Sequence, residues 1–196
     1  MSRESRIMNV DQERNFFILL QRGYVDLAFR VARGDLAQDS RSASAHAALA
    51  HCFLAAERPD RAREEASLAI ALSGGEDEGH RFLRARACYA MGDFSAALSD
   101  AAVVANQLLQ GAVAVADRES FLSSARLLAA VSLVELGQKK DALQLVTLVL
   151  PHTEVVAGQR VTTAEVLSKA ASVVATQPAK AFVGIRLVSS NYGVPA

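Results

Sequence analysis

The apolar positions of this chain fall into a phrase that recurs along it: an apolar helical stretch, a Gly-x-x break, and a second helical stretch with Ala near its start. Three copies carry Gly at the break, at Gly23, Gly92 and Gly137, and a fourth has Glu57 in that place. In all four an alanine follows the break by five residues, at Ala28, Ala62, Ala97 and Ala142. The pattern has local physical reasons. Gly ends the first helix by taking a positive φ at little steric cost. A small residue five positions on lets the second helix pack close to the first. Asp60 and Asp93 suit the start of a helix and Pro59 its first turn. Helical hairpins are therefore expected at about residues 11–35, 43–72, 78–110 and 118–150.

The breaks lie 34, 35 and 45 residues apart. With these spacings and the residues around them, the chain resembles the tetratricopeptide repeat family, whose period is about 34 residues. Residues 43–76 carry the fullest copy. Leu49-Ala50 match the family's Leu-Gly pair, Phe53 its first-helix aromatic, Ala62 its small contact residue and Ala69-Ile70 its second-helix Ala-Leu. The copy departs from the pattern at His46, where the family has Trp, at Ala66 in place of an aromatic, and at Gly74 in place of the terminal Pro. In the third repeat Gly92, Phe94 and Ala97 match, while Arg84 falls where Leu is expected. The resemblance covers about residues 9–150. It implies an all-α fold, a helical-hairpin solenoid wound as a right-handed superhelix.

On this reading residues 1–8 form an N-terminal tail, 9–156 four hairpins, 157–177 a capping helix and 178–196 an apolar C-terminal tail. The extra ten residues before Gly137 fall around Gln107–Arg118, where Ala, Val and Leu predict extended helices, with Asp117 as an N-cap. Ser73-Gly74-Gly75-Glu76-Asp77 predicts a loop. After Pro151 the repeat is lost. Thr162 or Thr163 would cap a last helix to about Thr176, with Val166, Leu167, Ala170, Val173 and Val174 on one stripe. The end of a repeat stack exposes the face the next repeat would have covered, so a helix is expected there. In the tail Phe182, Val183, Ile185, Leu187 and Val188 are too apolar to stay free and are expected to dock; their spacing fits strand or helix.

Composition supports helix: 51% of the residues are hydrophobic, mostly Ala, Leu and Val, with no Trp. A formal net charge of +0 argues against a general affinity for nucleic acid or anionic lipid. Residues 42–80 hold seven acids against three bases and 151–196 four bases against two acids, an imbalance that fits ordinary solvated helix faces ahead of a role in steering a partner. No apolar run approaches the roughly 20 residues of a membrane span, and none follows the first charges as in a secretory signal. The cytoplasm is the expected location.

Candidate chemistry is sparse. Cys52 and Cys88 lie in apolar helical stretches without CxxC spacing and are expected to be buried thiols. His46 and His51 are five apart, whereas two ligands on one helical face need three or four, so no metal site and no cofactor are expected. The neighbours His51 and Cys52 would point about 100° apart on a helix, which excludes a nucleophile pair. Gly74-Gly75 lacks the Lys-Ser/Thr of a phosphate loop. Arg33-Gly34-Asp35 reads as a hairpin exit where Gly ends a helix, Arg81, Arg84 and Arg86 as a solvated edge, and Glu64-Glu65 as surface acids. Nothing assembles a catalytic constellation, and the chain is not expected to be an enzyme.

The resemblance supplies the candidate site. In the family the first helix of each hairpin lines a concave groove. Carried over residue by residue, the inward positions hold Phe17, Leu20, His51, Leu54, Phe82, Arg86, Tyr89, Leu127, Val131 and Val134. The Lys and Asn of the family's carboxylate-clamp members are absent there. The groove is mostly apolar, with Arg86 and His51 as polar points, and Arg86 is placed to grip a backbone carbonyl or an acidic side chain. The implied function is that of an adaptor or chaperone holding an apolar segment of a protein partner. Size, hairpin number and groove are similar to the translocator chaperones of bacterial type III secretion. The alternative is a structural subunit whose apolar faces are buried in a constitutive oligomer, a homo-oligomer included, or a larger assembly.

Overall fold

Each break is a helix end closed in the same way. Gly23, Gly92 and Gly137 have φ of 77°, 79° and 78°, and Glu57 takes the same left-handed conformation at 56°. The residue after each break donates its N–H to the carbonyl five residues back, from Tyr24 to Leu19, Arg58 to Phe53, Asp93 to Cys88 and Gln138 to Leu133, at 2.9, 2.8, 2.9 and 2.8 Å. The break residue donates three back, to Leu20, Leu54, Tyr89 and Val134. This is the Schellman end, which satisfies carbonyls that a helix terminus leaves free. The alanine five positions on then donates to the residue after the break, opening the next helix, and is fully buried in every copy.

Glu57 is the copy that bears strain, since a left-handed L-residue costs about 1–2 kcal/mol. Replacing it by Gly removes the clash but frees the unfolded chain by about 0.4–1 kcal/mol. Glu57→Gly should therefore raise stability by about 0.5–1 kcal/mol, and Gly92→Ala should lower it. Urea midpoints of the two variants check the signs.

The computed structural model describes residues 10–75, 77–111 and 118–171. Over these residues the chain is an all-α, largely helical domain. Four hairpins follow one another: α1 (Val10–Gln21) with α2 (Val25–Gln38), α3 (Ala43–Ala55) with α4 (Pro59–Leu72), α5 (Glu78–Ala90) with α6 (Phe94–Gln110), and α7 (Arg118–Glu135) with α8 (Lys139–Val146). Two short antiparallel strands, β1 (Glu154–Ala157) and β2 (Gln159–Thr162), precede α9 (Thr163–Ala171), the last of nine helices among the described residues. No helix among them is long and apolar enough to cross a membrane.

Each helix packs on the next, and α3, α5, α7 and α9 also touch in turn, forming a row. The ring contact of Phe17 with His51, 5.1 Å between centroids, ties α1 to that row. Asp77 and Asp93 accept N–H bonds from His80 and Ala96, capping α5 and α6. The expected lengthening is present: α6 and α7 have 17 and 18 residues, against 12 to 14 in the first five helices. Asp117, both tails (residues 1–8 and 178–196), Val173 and Val174 lie outside the described residues.

Several expectations are corrected. Gly34 lies inside α2, so Arg33-Gly34-Asp35 is helical rather than a hairpin exit. Residues 159–162 are strand and not the start of a capping helix. The helix itself starts at Thr163 with Thr162 as its cap, one of the two threonines expected there: the Thr162 hydroxyl accepts the Glu165 N–H and the Glu165 carboxylate accepts the Thr162 N–H at 2.9 Å, a capping box. On α9, Val166 and Ala170 are buried while Leu167 is exposed. His46 is buried, with Nδ1 2.7 Å from Glu65 Oε2, so Glu65 is not a free surface acid. Arg84 replaces the expected Leu because it holds the buried Asp100 of α6 through two 2.7 Å bonds, and Arg81 approaches the same carboxylate at 3.6 Å.

Candidate functional site

The row of odd-numbered helices has two unlike halves. At its C-terminal half the chain covers the row with its own hairpin. β1 packs on α5 and α7, and β2 on α9. Val155, Ala157 and Val161 are buried in one apolar cluster with Tyr89, Leu127, Val131 and Val134. Gly158 makes the turn at φ 79°, and a Cβ there would stand 3.0 Å from that of Ala90, so the tip lies directly against the end of α5. Arg86 Nε donates to the Val156 carbonyl at 2.6 Å. Burial raises the phenol pKa of Tyr89, and the Gln159 side chain opposes the rise.

Tyr89, Leu127, Val131 and Val134, read from sequence as groove positions, are thus core side chains beneath the hairpin. Arg86 does grip a backbone carbonyl, and the carbonyl belongs to its own chain. Burial lowers the guanidinium pKa to about 10. Phe82 is half-buried, with its ring edge-on to Phe121 at 5.3 Å, and packs toward α6 and α7.

The N-terminal half differs. Phe17 is 39% exposed, and Leu20, His51 and Leu54 are half-buried. Between α1, α3 and α5 opens a cavity of about 210 Å³, lined chiefly by Phe16, Phe17, Ala48, His51, His80 and Leu83. Burial first, then the charges of Arg86 and His80, lower the His51 pKa to about 3. Near neutral pH His51 is an uncharged imidazole in an apolar wall.

That depression fixes a pH dependence. The unfolded imidazole accepts a proton near 6.5 and the folded one only near 3, so between these values the unfolded state binds more protons. Stability is lost as pH falls through this window, by at most about 1.4 kcal/mol per unit from this group. His51→Phe should flatten the fall. Urea midpoints for both proteins at pH 7, 5.5 and 4.5 measure the difference.

A second, more open cavity of about 510 Å³ lies between α4 and α6, beside Arg63, Ser67, Arg84, Cys88, Ser99 and Asp100. Arg84 and Asp100 are spent on each other there, and burial raises the Cys88 thiol pKa. Cys52 is likewise buried, its thiol pushed up to about 12. Among the described residues no group of three or more His, Cys, Asp or Glu could hold a metal ion.

The sequence reading missed Phe16, His80 and Leu83 in the open cavity, and it missed the hairpin. The hairpin had a signal: Val155 and Ala157 alternate with Glu154 and Val156 just before Gly158, with Val161 beyond it. Compared with known proteins, the chain matches no protein-family model and shows no significant similarity to a curated protein.

Proposed function

We propose that the chain is a protein-binding module of the tetratricopeptide type, a cytoplasmic adaptor or chaperone and not an enzyme. In this reading its hairpins wind as a right-handed solenoid, and an apolar segment of a partner protein lies on the open N-terminal half of the row. The observation that carries the reading is the apolar cavity between α1, α3 and α5, with Phe17 exposed at its mouth. Ligand sites are typically concave and apolar with a few placed polar groups, here His51 and His80. The four matching helix ends support the family assignment. Phe17 and Leu54 are the anchors in this reading, since a few side chains seated in well-packed pockets dominate the affinity of an interface.

The test is titration of a stoichiometric co-purified partner. Phe17→Ala and Leu54→Ala should each weaken binding at least fivefold with helicity unchanged. Wild-type affinity in the double variant would contradict the proposal.

One observation favours the second reading, a subunit of an oligomer. Tyr24, Leu27 and Val31 follow one face of α2 and are 53%, 45% and 37% exposed. In that case Leu27→Glu should convert an oligomer to monomer in light scattering, whereas the adaptor reading expects no change.

A further inference from the structure

Gly34 lies inside α2, before its last turn, where glycine loses more backbone freedom on folding than any other residue. Its φ is not left-handed, and a Cβ there would meet nothing within 4 Å. Nothing among the described residues therefore calls for glycine at this position. Gly34 also continues the exposed apolar stripe of α2. Tyr24, Leu27, Val31 and Gly34 follow one another at spacings of three, four and three, the seam that one helix presents to another in a coiled coil. The buried Ala28 and Ala32 flank this seam on the side of the first hairpin, and the exposed Asp26 and Arg30 flank it on the solvent side.

The stripe is complementary to itself when reversed. An antiparallel copy centred between Leu27 and Val31 sets Leu27 against Val31 of the other copy at both central positions, and Tyr24 against Gly34 at both ends. Each phenol ring then fills the space left by a missing Cβ, as close packing requires. On the solvent flank Asp26 falls beside Arg30 of the other copy, twice by symmetry, so the charges match as well as the volumes. A parallel copy fits less well: Tyr24 crowds Tyr24 at one end, and Gly34 opposite Gly34 leaves a void at the other. We propose that this face of α2 docks on α2 of a second copy of the chain, antiparallel and in that register. The inference rests on the subunit reading of this face. None of these residues lines the α1–α3–α5 cavity, so the dimer does not occupy it. A pair of 14-residue helices makes a small contact, and the dimer is accordingly weak and concentration-dependent.

Sedimentation velocity of the full chain over a concentration series reads the association, and a monomer–dimer equilibrium is expected. Gly34→Leu separates packing from folding, because the new side chain has open space in the monomer and leucine is the better helix former. Its helicity and urea midpoint should hold or rise. Its dimer dissociation constant should rise at least about tenfold, as the leucine meets the Tyr24 ring of the other copy. The size-swapped Tyr24→Ala/Gly34→Leu variant should recover much of that loss. Asp26→Lys and Arg30→Glu should each associate more tightly with one another than with themselves. A chain that stays monomeric throughout would overturn the second copy and leave the subunit reading to an assembly with other chains. A dimer that Gly34→Leu leaves intact or tightens would overturn the α2 contact while a homo-oligomer stands. A dimer weakened by Gly34→Leu, with no preference between the two charge variants, would overturn the antiparallel register.

Discussion

Leu127→Ala should destabilise the protein by about 3 kcal/mol, within the 2–5 kcal/mol typical of a deleted buried leucine, whereas Phe17→Ala should cost less than about 1 kcal/mol. Both residues stand at groove positions of the repeat pattern. They differ because the 154–162 hairpin seals Leu127, at 0% exposure, while Phe17 is left 39% exposed. Denaturation in urea checks the pair. Equal, small losses would mean that the hairpin does not cover α7.

Asp100→Ala should cost about 2–3 kcal/mol. Removing one partner of a buried ion pair costs about 3–5 kcal/mol because the other charge is stranded; the Arg84 side chain is 28% exposed, so water recovers part of the loss. The double variant Arg84→Leu/Asp100→Ala should regain much of the stability, since it restores the apolar residue expected at this place in the repeat and leaves fewer charges unpaired. The regain over additivity, read from midpoints of the four-member cycle, measures the coupling. A fully additive double variant would show that the pair contributes no coupling.

What the sequence revealed follows from how local the causes are. The helix ends at Gly23, Glu57, Gly92 and Gly137 were legible because backbone geometry and a small residue five positions on are short-range requirements. Glu57 could be placed only by the repeat itself, since nothing in its chemistry asks for a positive φ. The covered half of the row was not legible. Leu127, Val131 and Val134 look the same whether they face a partner, solvent or the chain's own hairpin, and the difference lies in a contact across 70 residues between Arg86 and Val156. His46 and Arg84, departures from the pattern, became intelligible only with Glu65 and Asp100 opposite them. Polar substitutions at apolar repeat positions report a partner that sequence alone does not name.

The most direct test of a partner-binding N-terminal half is amide hydrogen exchange of the full chain with and without its co-purified partner. Binding should slow exchange in residues 16–20, 44–54 and 79–86, along α1, α3 and α5, and leave the already covered α7 and the 154–162 hairpin unchanged. Slowed exchange confined to α2 around Tyr24, Leu27 and Val31, or faster exchange of the hairpin on binding, would contradict it.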